Sequence, residues 1–380
     1  MEQEERAKAM AGEATEMETS VDHIPIHPSQ VTPAWLTDCF SKKGIVDAAS
    51  VASLSYESIG AGMVGDSIRF TLSYDDNGRA GPATLVGKFP AEDQTSRETG
   101  VALGLYLNEV GYYRELSHTV AVRTPHPYYA AINEATGDFL LLLEDLGPAR
   151  GGNQLKGCSL EDAEHVMRQA AALHGPRWND PALRSIEWLN ARPRHLKTMQ
   201  GIFPAALRKF QERYDGILEP DLMAVCTRFG EKVGDFCALE FERFCVIHGD
   251  LRLDNLLFDI LGEQEPLAVL DWQTAARAMG MVDVGYFLGA GIQSELRRAH
   301  ERDLIRLYLD ELRRHGVTDY GWDNAWTDYR RGMLQGVIMP IFASANVERT
   351  ERGDEMFLSM ARGACQLAID VEAFDALPAA

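Results

Sequence analysis

His248-Gly249-Asp250-Leu251-Arg252-Leu253-Asp254-Asn255, followed after a short polar interval by Ala268-Val269-Leu270-Asp271-Trp272, is the stretch on which the reading of this chain turns. It holds a carboxylate, an amide five positions later and a second carboxylate beyond a hairpin, the set that phosphoryl transfer from Mg·ATP requires. Asn255 and Asp271 can each offer an oxygen to a hard cation, which leaves Asp250 to take the proton of an attacking hydroxyl. The bland alternative is an Asp- and Asn-rich turn with solvated side chains, and either half alone is compatible with it.

The flanks suit the first reading. Phe244-Cys245-Val246-Ile247 leads in, Leu256-Leu257-Phe258 leads out and Pro266-Leu267-Ala268-Val269-Leu270 ends at Asp271, each short enough for a buried strand. The polar interval from Asp259 to Glu265 contains Gly262, so the later two runs can fold back as a hairpin that brings Asp271 beside Asn255.

The chain has 380 residues, more than one core usually spans, so two lobes are expected. With 46% hydrophobic and 25% charged residues it is not disordered as a whole. A net charge of -20 argues against DNA, RNA or an acidic membrane surface as partner. The six cysteines show no zinc spacing, no apolar run approaches a membrane span, and Met1 to Thr19 is too acidic for a signal peptide. Cytoplasmic residence with reduced thiols is the expectation, and oligomeric state is not legible.

Residues 1–25 form a lead expected to be disordered or a frayed helix. Thr32-Pro33 reads as an N-cap and first helical position, with the helix closed near Gly44. Ile68, Phe70, Leu72 and Tyr74 alternate with polar residues as a strand does, and Asp75-Asp76-Asn77-Gly78 signals a turn. Thr84 to Phe89 and Phe139 to Leu143 are further strands, whereas Glu98 to Leu116 has helical spacing with Leu105, Tyr112, Tyr113 and Leu116 on one stripe. Ser159-Leu160-Glu161-Asp162 resembles a capping box and opens a mostly helical remainder. The fold class is therefore α+β and bilobal: a strand-rich N-lobe over 26–143, a hinge at 144–150 and a helical C-lobe over 151–380 carrying the catalytic loop and acceptor pocket.

Gly60-Ala61-Gly62-Met63-Val64-Gly65 fits GxGxxG, which serves both dinucleotide folds and kinase loops. A dinucleotide unit would open a helix there, but Ser67 to Tyr74 alternates as a strand, so a glycine hairpin over phosphates is the better reading beside a plain flexible turn. Lys88 stands in an apolar strand, where a cation implies an edge position or a partner. Glu109 sits within the apolar stripe of the following helix and can position Lys88 on the α- and β-phosphates; an ordinary surface pairing is the competing account.

Glycine loop, lysine, helix glutamate, apolar strand with hinge, HGDxxxxN and LDW, in that order, resemble the aminoglycoside phosphotransferase and choline kinase-like superfamily. Within it the phrases around Asp250 and Leu270-Asp271-Trp272-Gln273 are most similar to the bacterial ecdysteroid kinase-like (CHK kinase-like) phosphotransferases, over about Val51 to Gly289. The resemblance implies a bilobal protein-kinase-like fold holding ATP under the glycine loop, with adenine bonded by main-chain groups near Glu144 and Leu146. It implies Asp250 as base, Asn255 and Asp271 as Mg2+ ligands, and His248 as a ring that braces the loop. Arg252 stands where many kinases carry a cation facing the γ-phosphate, with a surface ion pair to Asp254 as the alternative. Asp283 stands where the family has an acid that holds the catalytic loop, and His174 reads as a satisfied core histidine.

Trp272 replaces the Phe of a protein kinase and no Ala-Pro-Glu segment follows, so a small-molecule hydroxyl acceptor is favoured over a protein. The resemblance favours a sterol-like or other hydrophobic alcohol; the acidic composition leaves an aminoglycoside or choline-like cation open. Trp178, Trp188, Trp272, Trp322 and Trp326 offer apolar and aromatic surface, most of it expected in the core. The expected activity is ATP-dependent O-phosphotransfer. The alternatives are a nucleotide-binding pseudokinase that regulates or scaffolds, and a nicotinamide dehydrogenase suggested by GxGxxG alone.

Overall fold

The computed structural model describes residues 24–61, 65–75, 78, 80–190, 192–347 and 349–378. The lead up to residue 23, Asp76-Asn77 of the expected turn, and Gly62 lie outside them. The chain divides into two units, Met1–Leu116 with Pro125–Asp145, and Ser117–Thr124 with Leu146–Ala380.

The first unit is built on five antiparallel strands, β1 (Val51–Ala61), β2 (Gly65–Tyr74), β3 (Thr84–Pro90), β4 (Pro127–Asn133) and β5 (Asp138–Glu144), in the order β1-β2-β3-β5-β4. Ile68, Phe70 and Leu72 of β2 are buried while Thr71 and Ser73 face out, as their alternation predicts. The core beneath includes Phe40, Phe70, Leu85, Phe89, Leu140 and Leu142. Helix α1 (Pro33–Lys42) covers part of it, started by Thr32, whose Oγ1 accepts the Trp35 N–H at 3.2 Å.

The helix expected from Glu98 to Leu116 is in fact interrupted. Helix α2 (Gln94–Ala102) stops, Gly104 turns at φ +70°, and α3 (Leu105–Gly111) runs on into a π-helical turn at Tyr112–Leu116. The left-handed backbone at Gly104 costs a glycine little and breaks the apolar stripe there. Leu105 is only half-buried, and Tyr106, Val110, Tyr112, Tyr113 and Leu116 form the inner face.

The second unit is mainly helical: α4 (Leu160–His174), α5 (Arg192–Tyr214), α6 (Pro220–Cys237), α7 (Met281–Ala290), α8 (Ser294–Arg314), α9 (Trp322–Gly332), α10 (Gln335–Asn346) and α11 (Glu351–Asp370). The box at the start of α4 is formed, with the Ser159 hydroxyl accepting the Asp162 N–H at 3.0 Å and the Asp162 carboxylate accepting the Ser159 N–H. Helix α7 packs against α9, α10 and α11, and all ten of its residues, Met281 to Ala290, are buried. Two small sheets sit among the helices. One joins Arg150–Gly151 (β6), Leu256–Asp259 (β8) and Glu265–Val269 (β9); the other pairs Cys245–Ile247 (β7) with Ala276–Ala278 (β10), a pairing not anticipated from the sequence.

Candidate active site

In the first unit Lys88 occupies β3, the middle strand, with Ser67 and Leu141 opposite it on either side. The edge position offered as one explanation of a lysine here is therefore ruled out, and the partner is present. Glu109 on α3 is fully buried and its Oε1 accepts from Lys88 Nζ, whose own side chain is 16% exposed. A buried carboxylate without a cation would be strongly disfavoured, so each charge holds the other in place. Gly60 on β1 stands opposite Ser67 and Gly65 on β2 opposite Pro90, so a paired strand follows the glycines where a dinucleotide fold has a helix. A Cβ on Gly65 would stand 3.0 Å from the Phe89 carbonyl oxygen, tight enough to favour glycine.

In the second unit β7 delivers the chain to His248 at a sharp bend. Gly249 takes φ +83°, and a Cβ there would meet the Thr274 carbonyl oxygen at 2.4 Å. Asp283 on α7, fully buried, fastens this bend: its Oδ2 accepts the His248 N–H at 2.6 Å and its Oδ1 the Gly249 N–H at 2.8 Å. His174 packs against the same carboxylate, Nε2 to Oδ2 at 3.2 Å, and its Nδ1 meets the Tyr308 hydroxyl at 2.8 Å, so it is a satisfied core histidine. The His248 ring ties the loop to the hairpin, Nε2 donating to the Leu270 carbonyl at 2.8 Å while Nδ1 accepts the Asp250 N–H at 3.2 Å. These two bonds together select the Nε2–H tautomer.

The Asp250 carboxylate is held by three side chains. Its Oδ2 accepts from Arg252 Nε at 3.1 Å and Asn255 Nδ2 at 3.0 Å, and its Oδ1 accepts from the Tyr286 hydroxyl at 2.8 Å. Arg252 also donates from Nη1 to Asp254 at 2.9 Å, so it pairs with both carboxylates, and at 12% side-chain exposure this is no surface ion pair. Burial works against its charge, but Asp250 first, then Tyr286 and Asp254, hold the guanidinium above its ordinary value. Gln154 bonds the loop from another side: its Oε1 accepts the Leu253 N–H at 3.3 Å and its own N–H donates to Asp254 at 3.0 Å.

Strands β8 and β9 set the remaining geometry. Leu256 pairs with Val269, and the Leu270 N–H donates to the Asn255 carbonyl at 2.9 Å, so Asp271 follows directly on the residue opposite Asn255. The turn between the strands is pinned to the segment after residue 145, Leu261 N–H to Leu146 O at 3.0 Å and Gly262 N–H to Pro148 O at 2.9 Å. Asp271 adopts φ +66°, a conformation an aspartate tolerates better than most residues, and Trp272 beside it is fully buried with Nε1 donating to Thr124 at 2.9 Å. Asn255 gives its amide nitrogen to Asp250, which leaves its Oδ1 outside these bonds. Among the described residues no cluster of three or more His, Cys, Asp or Glu makes a complete metal cage.

The structure thus brings Lys88 to Glu109, and Asp250 to Arg252 and Asn255, with Asp271 adjacent in register. Glu144 ends β5, its N–H donating to His126 O at 2.8 Å, while Leu146 is buried in the second unit. Tyr286 and Gln154 were not picked out as site residues. Tyr286 lies three residues after Asp283 in an apolar run that gives it no role by itself, and nothing in the composition around Gln154 marks it. Trp188 is buried, and Trp322 and Trp326 stack on each other with the Arg302 guanidinium 5.0 Å over Trp326, a cation the chain itself supplies.

Comparison with known proteins bears on the fold and the family. The fold matches a GDP complex of aminoglycoside 2'-phosphotransferase-IIIa over 88% of this chain and 99% of that one, at 16% identity and a TM-score of 0.50. It matches choline kinase from Cryptosporidium parvum Iowa II over 84% and 91%, at 10% identity and a TM-score of 0.53. The α+β, kinase-like fold expected from the sequence is therefore the one observed. No curated protein matches the sequence. The model of the ecdysteroid kinase-like family, in contrast, matches residues 60–317, more than half the chain and the whole of the site just described, and this protein belongs to that family.

Proposed function

We propose that this protein is an ATP-dependent O-phosphotransferase that moves the γ-phosphoryl group to a hydroxyl of a small molecule. The observation that carries the proposal is the Asp250 carboxylate, oriented by Asn255, Arg252 and Tyr286 and followed in register by Asp271. In the reaction the acceptor O–H gives its proton to Asp250, its oxygen forms the new bond to the γ-phosphorus, and the bond from that phosphorus to the β-bridging oxygen breaks to release ADP. We assign Lys88, held by Glu109, to the α- and β-phosphates, with Gly60, Gly65 and Gly62, the last outside the described residues, as the glycines of the phosphate-binding motif. Arg252 keeps Nη2 without a hydrogen bond among the described residues, and we assign that group to the γ-phosphate. The Leu146 N–H is likewise unengaged among the described residues and suits a bond to the purine, with Glu144 alongside.

The donors fit magnesium. The Asn255 amide oxygen and the Asp271 carboxylate are hard oxygen ligands, and a site with so few protein donors is typical of an ion that completes its shell with water and substrate phosphates. When bound, Mg2+ would neutralise charge on the β- and γ-phosphates. The acceptor we favour is a hydrophobic or sterol-like alcohol. Among the described residues no helix is long and apolar enough to cross a membrane. The six cysteines are all free thiols, and on that ground we propose cytoplasmic residence.

Asp250→Asn tests the reading. It should bind ATP as before while turnover falls by about 10² to 10⁴. Transfer at the wild-type rate would refute it, and magnesium-dependent ADP formation by the unmodified protein separates an enzyme from a pseudokinase.

A further inference from the structure

The two oxygens of Asp250 are unequally occupied. Oδ2 accepts two hydrogen bonds, from Arg252 Nε at 3.1 Å and Asn255 Nδ2 at 3.0 Å, and a carboxylate oxygen has about two lone-pair sites. Oδ1 accepts one among the described residues, from the Tyr286 hydroxyl at 2.8 Å, and so retains a site for an incoming proton.

Tyr286 comes from α7, 36 residues beyond Asp250, and is fully buried. It lies three positions after Asp283, so both project from one side of the helix. Helix α7 therefore grips the loop twice, its backbone through Asp283 and its reactive carboxylate through Tyr286. Burial first, and then the charge of Asp250, push the phenol well above its ordinary value, so it stays protonated and donates. The terminal torsion of an aspartate is broad, and a partner on each oxygen is what stops the carboxylate from turning.

The geometry points to Tyr286 as a positioning residue that holds the Asp250 carboxylate in the rotamer presenting Oδ1 to the acceptor hydroxyl. This rests on the reading of Asp250 as base. The acceptor proton passes to Oδ1; Tyr286 keeps its own and changes no bond.

Tyr286→Phe removes one oxygen and no carbon. The probe is Mg·ATP with water as acceptor, read as ADP release, in wild type, Tyr286→Phe, Asp250→Asn and the double variant. Tyr286→Phe should lower kcat about ten- to a hundredfold, the usual worth of a hydrogen bond to a charged group, while the KM for Mg·ATP stays within about twofold. In the double variant the tyrosine change should add nothing to the asparagine change, because Tyr286 acts through Asp250.

Wild-type turnover by Tyr286→Phe, with Asp250→Asn impaired, overturns the inference alone. So does full additivity in the double variant, which would mark a merely structural role. Unimpaired Asp250→Asn overturns the base reading and this inference with it. Should Tyr286→Phe fail to fold, a crystal structure of the wild type with Mg2+ and a non-hydrolysable ATP analogue decides: a Tyr286 oxygen within about 3.2 Å of Asp250 Oδ1 supports the inference, and one beyond about 3.5 Å overturns it.

Discussion

Asp283→Asn should release the loop that carries Asp250 without altering the volume of the core. The carboxylate is fully buried and accepts the His248 N–H at 2.6 Å on one oxygen and the Gly249 N–H at 2.8 Å on the other. Asparagine has a single acceptor oxygen, so whichever way the amide is turned one of these N–H groups faces an NH2. A hydrogen bond to a charged group is worth about 1.5–3 kcal/mol, and a buried donor left unpaired costs about 1–3 kcal/mol. These ranges describe overlapping effects, so the expected loss of stability is about 3 kcal/mol for asparagine. Asp283→Ala orphans both N–H groups and removes the partner of His174 Nε2, for a loss of about 5 kcal/mol. Five of the six tryptophans, all but Trp35, lie in the second unit, so urea unfolding followed by tryptophan fluorescence reports on the relevant part of the chain. Turnover should fall in step although Asp250 is untouched. An asparagine variant within about 0.5 kcal/mol of wild type, the scatter of neutral substitutions, would refute the claim that this carboxylate fastens the loop.

Gly249→Ala should destabilise by about 2 kcal/mol or more and abolish turnover, since its Cβ would stand 2.4 Å from a backbone carbonyl and its φ of +83° is unfavourable for alanine; a soluble variant with normal urea midpoint and activity would contradict this. Stability should fall in acid. Burial would raise the Asp370 carboxyl, but Arg298, then Arg297 and Gln366, pull it below its ordinary value, so its contribution is complete above the unfolded value of about 3.9 and is lost as pH falls through the depressed folded one. Thermal scans should show Tm level from about pH 7 to 5 and dropping below about 4, with a shallower drop in Asp370→Asn; an identical acid profile in that variant would remove Asp370 from the explanation.

Much of the site was legible because its chemistry is local in the chain. Asp250, Arg252 and Asn255 stand within six positions, and a short hairpin with Gly262 was enough to bring Asp271 into register with them. Lys88 and Glu109 could be paired from a cation in an apolar strand and a carboxylate in an apolar helix face. The β2 strand followed from its alternation alone. The break at Gly104 was missed because helical spacing continues on both sides of it, and only the backbone conformation distinguishes an interrupted helix from a continuous one. Lys88 on a central strand was equally hidden, because strand order is a property of pairing and not of any one strand.

The sequence by itself supplied the residue types that the proposed chemistry uses: one carboxylate for a proton, two oxygens for a cation and one lysine for phosphates. It also marked several of the strands and helices, β2, β3, β5 and α4 among them, since apolar period is written residue by residue. The tertiary structure decided which atoms of those residues remain available. Tyr286 reaches Asp250 Oδ1 from 36 positions away and Gln154 reaches Leu253 from 99, while Arg252 and Asn255 fill Oδ2, so Oδ1 alone keeps an open site among the described residues. Hydrogen bonds act over about 3 Å of space whatever the separation along the chain, so their pattern exists only once the chain has folded.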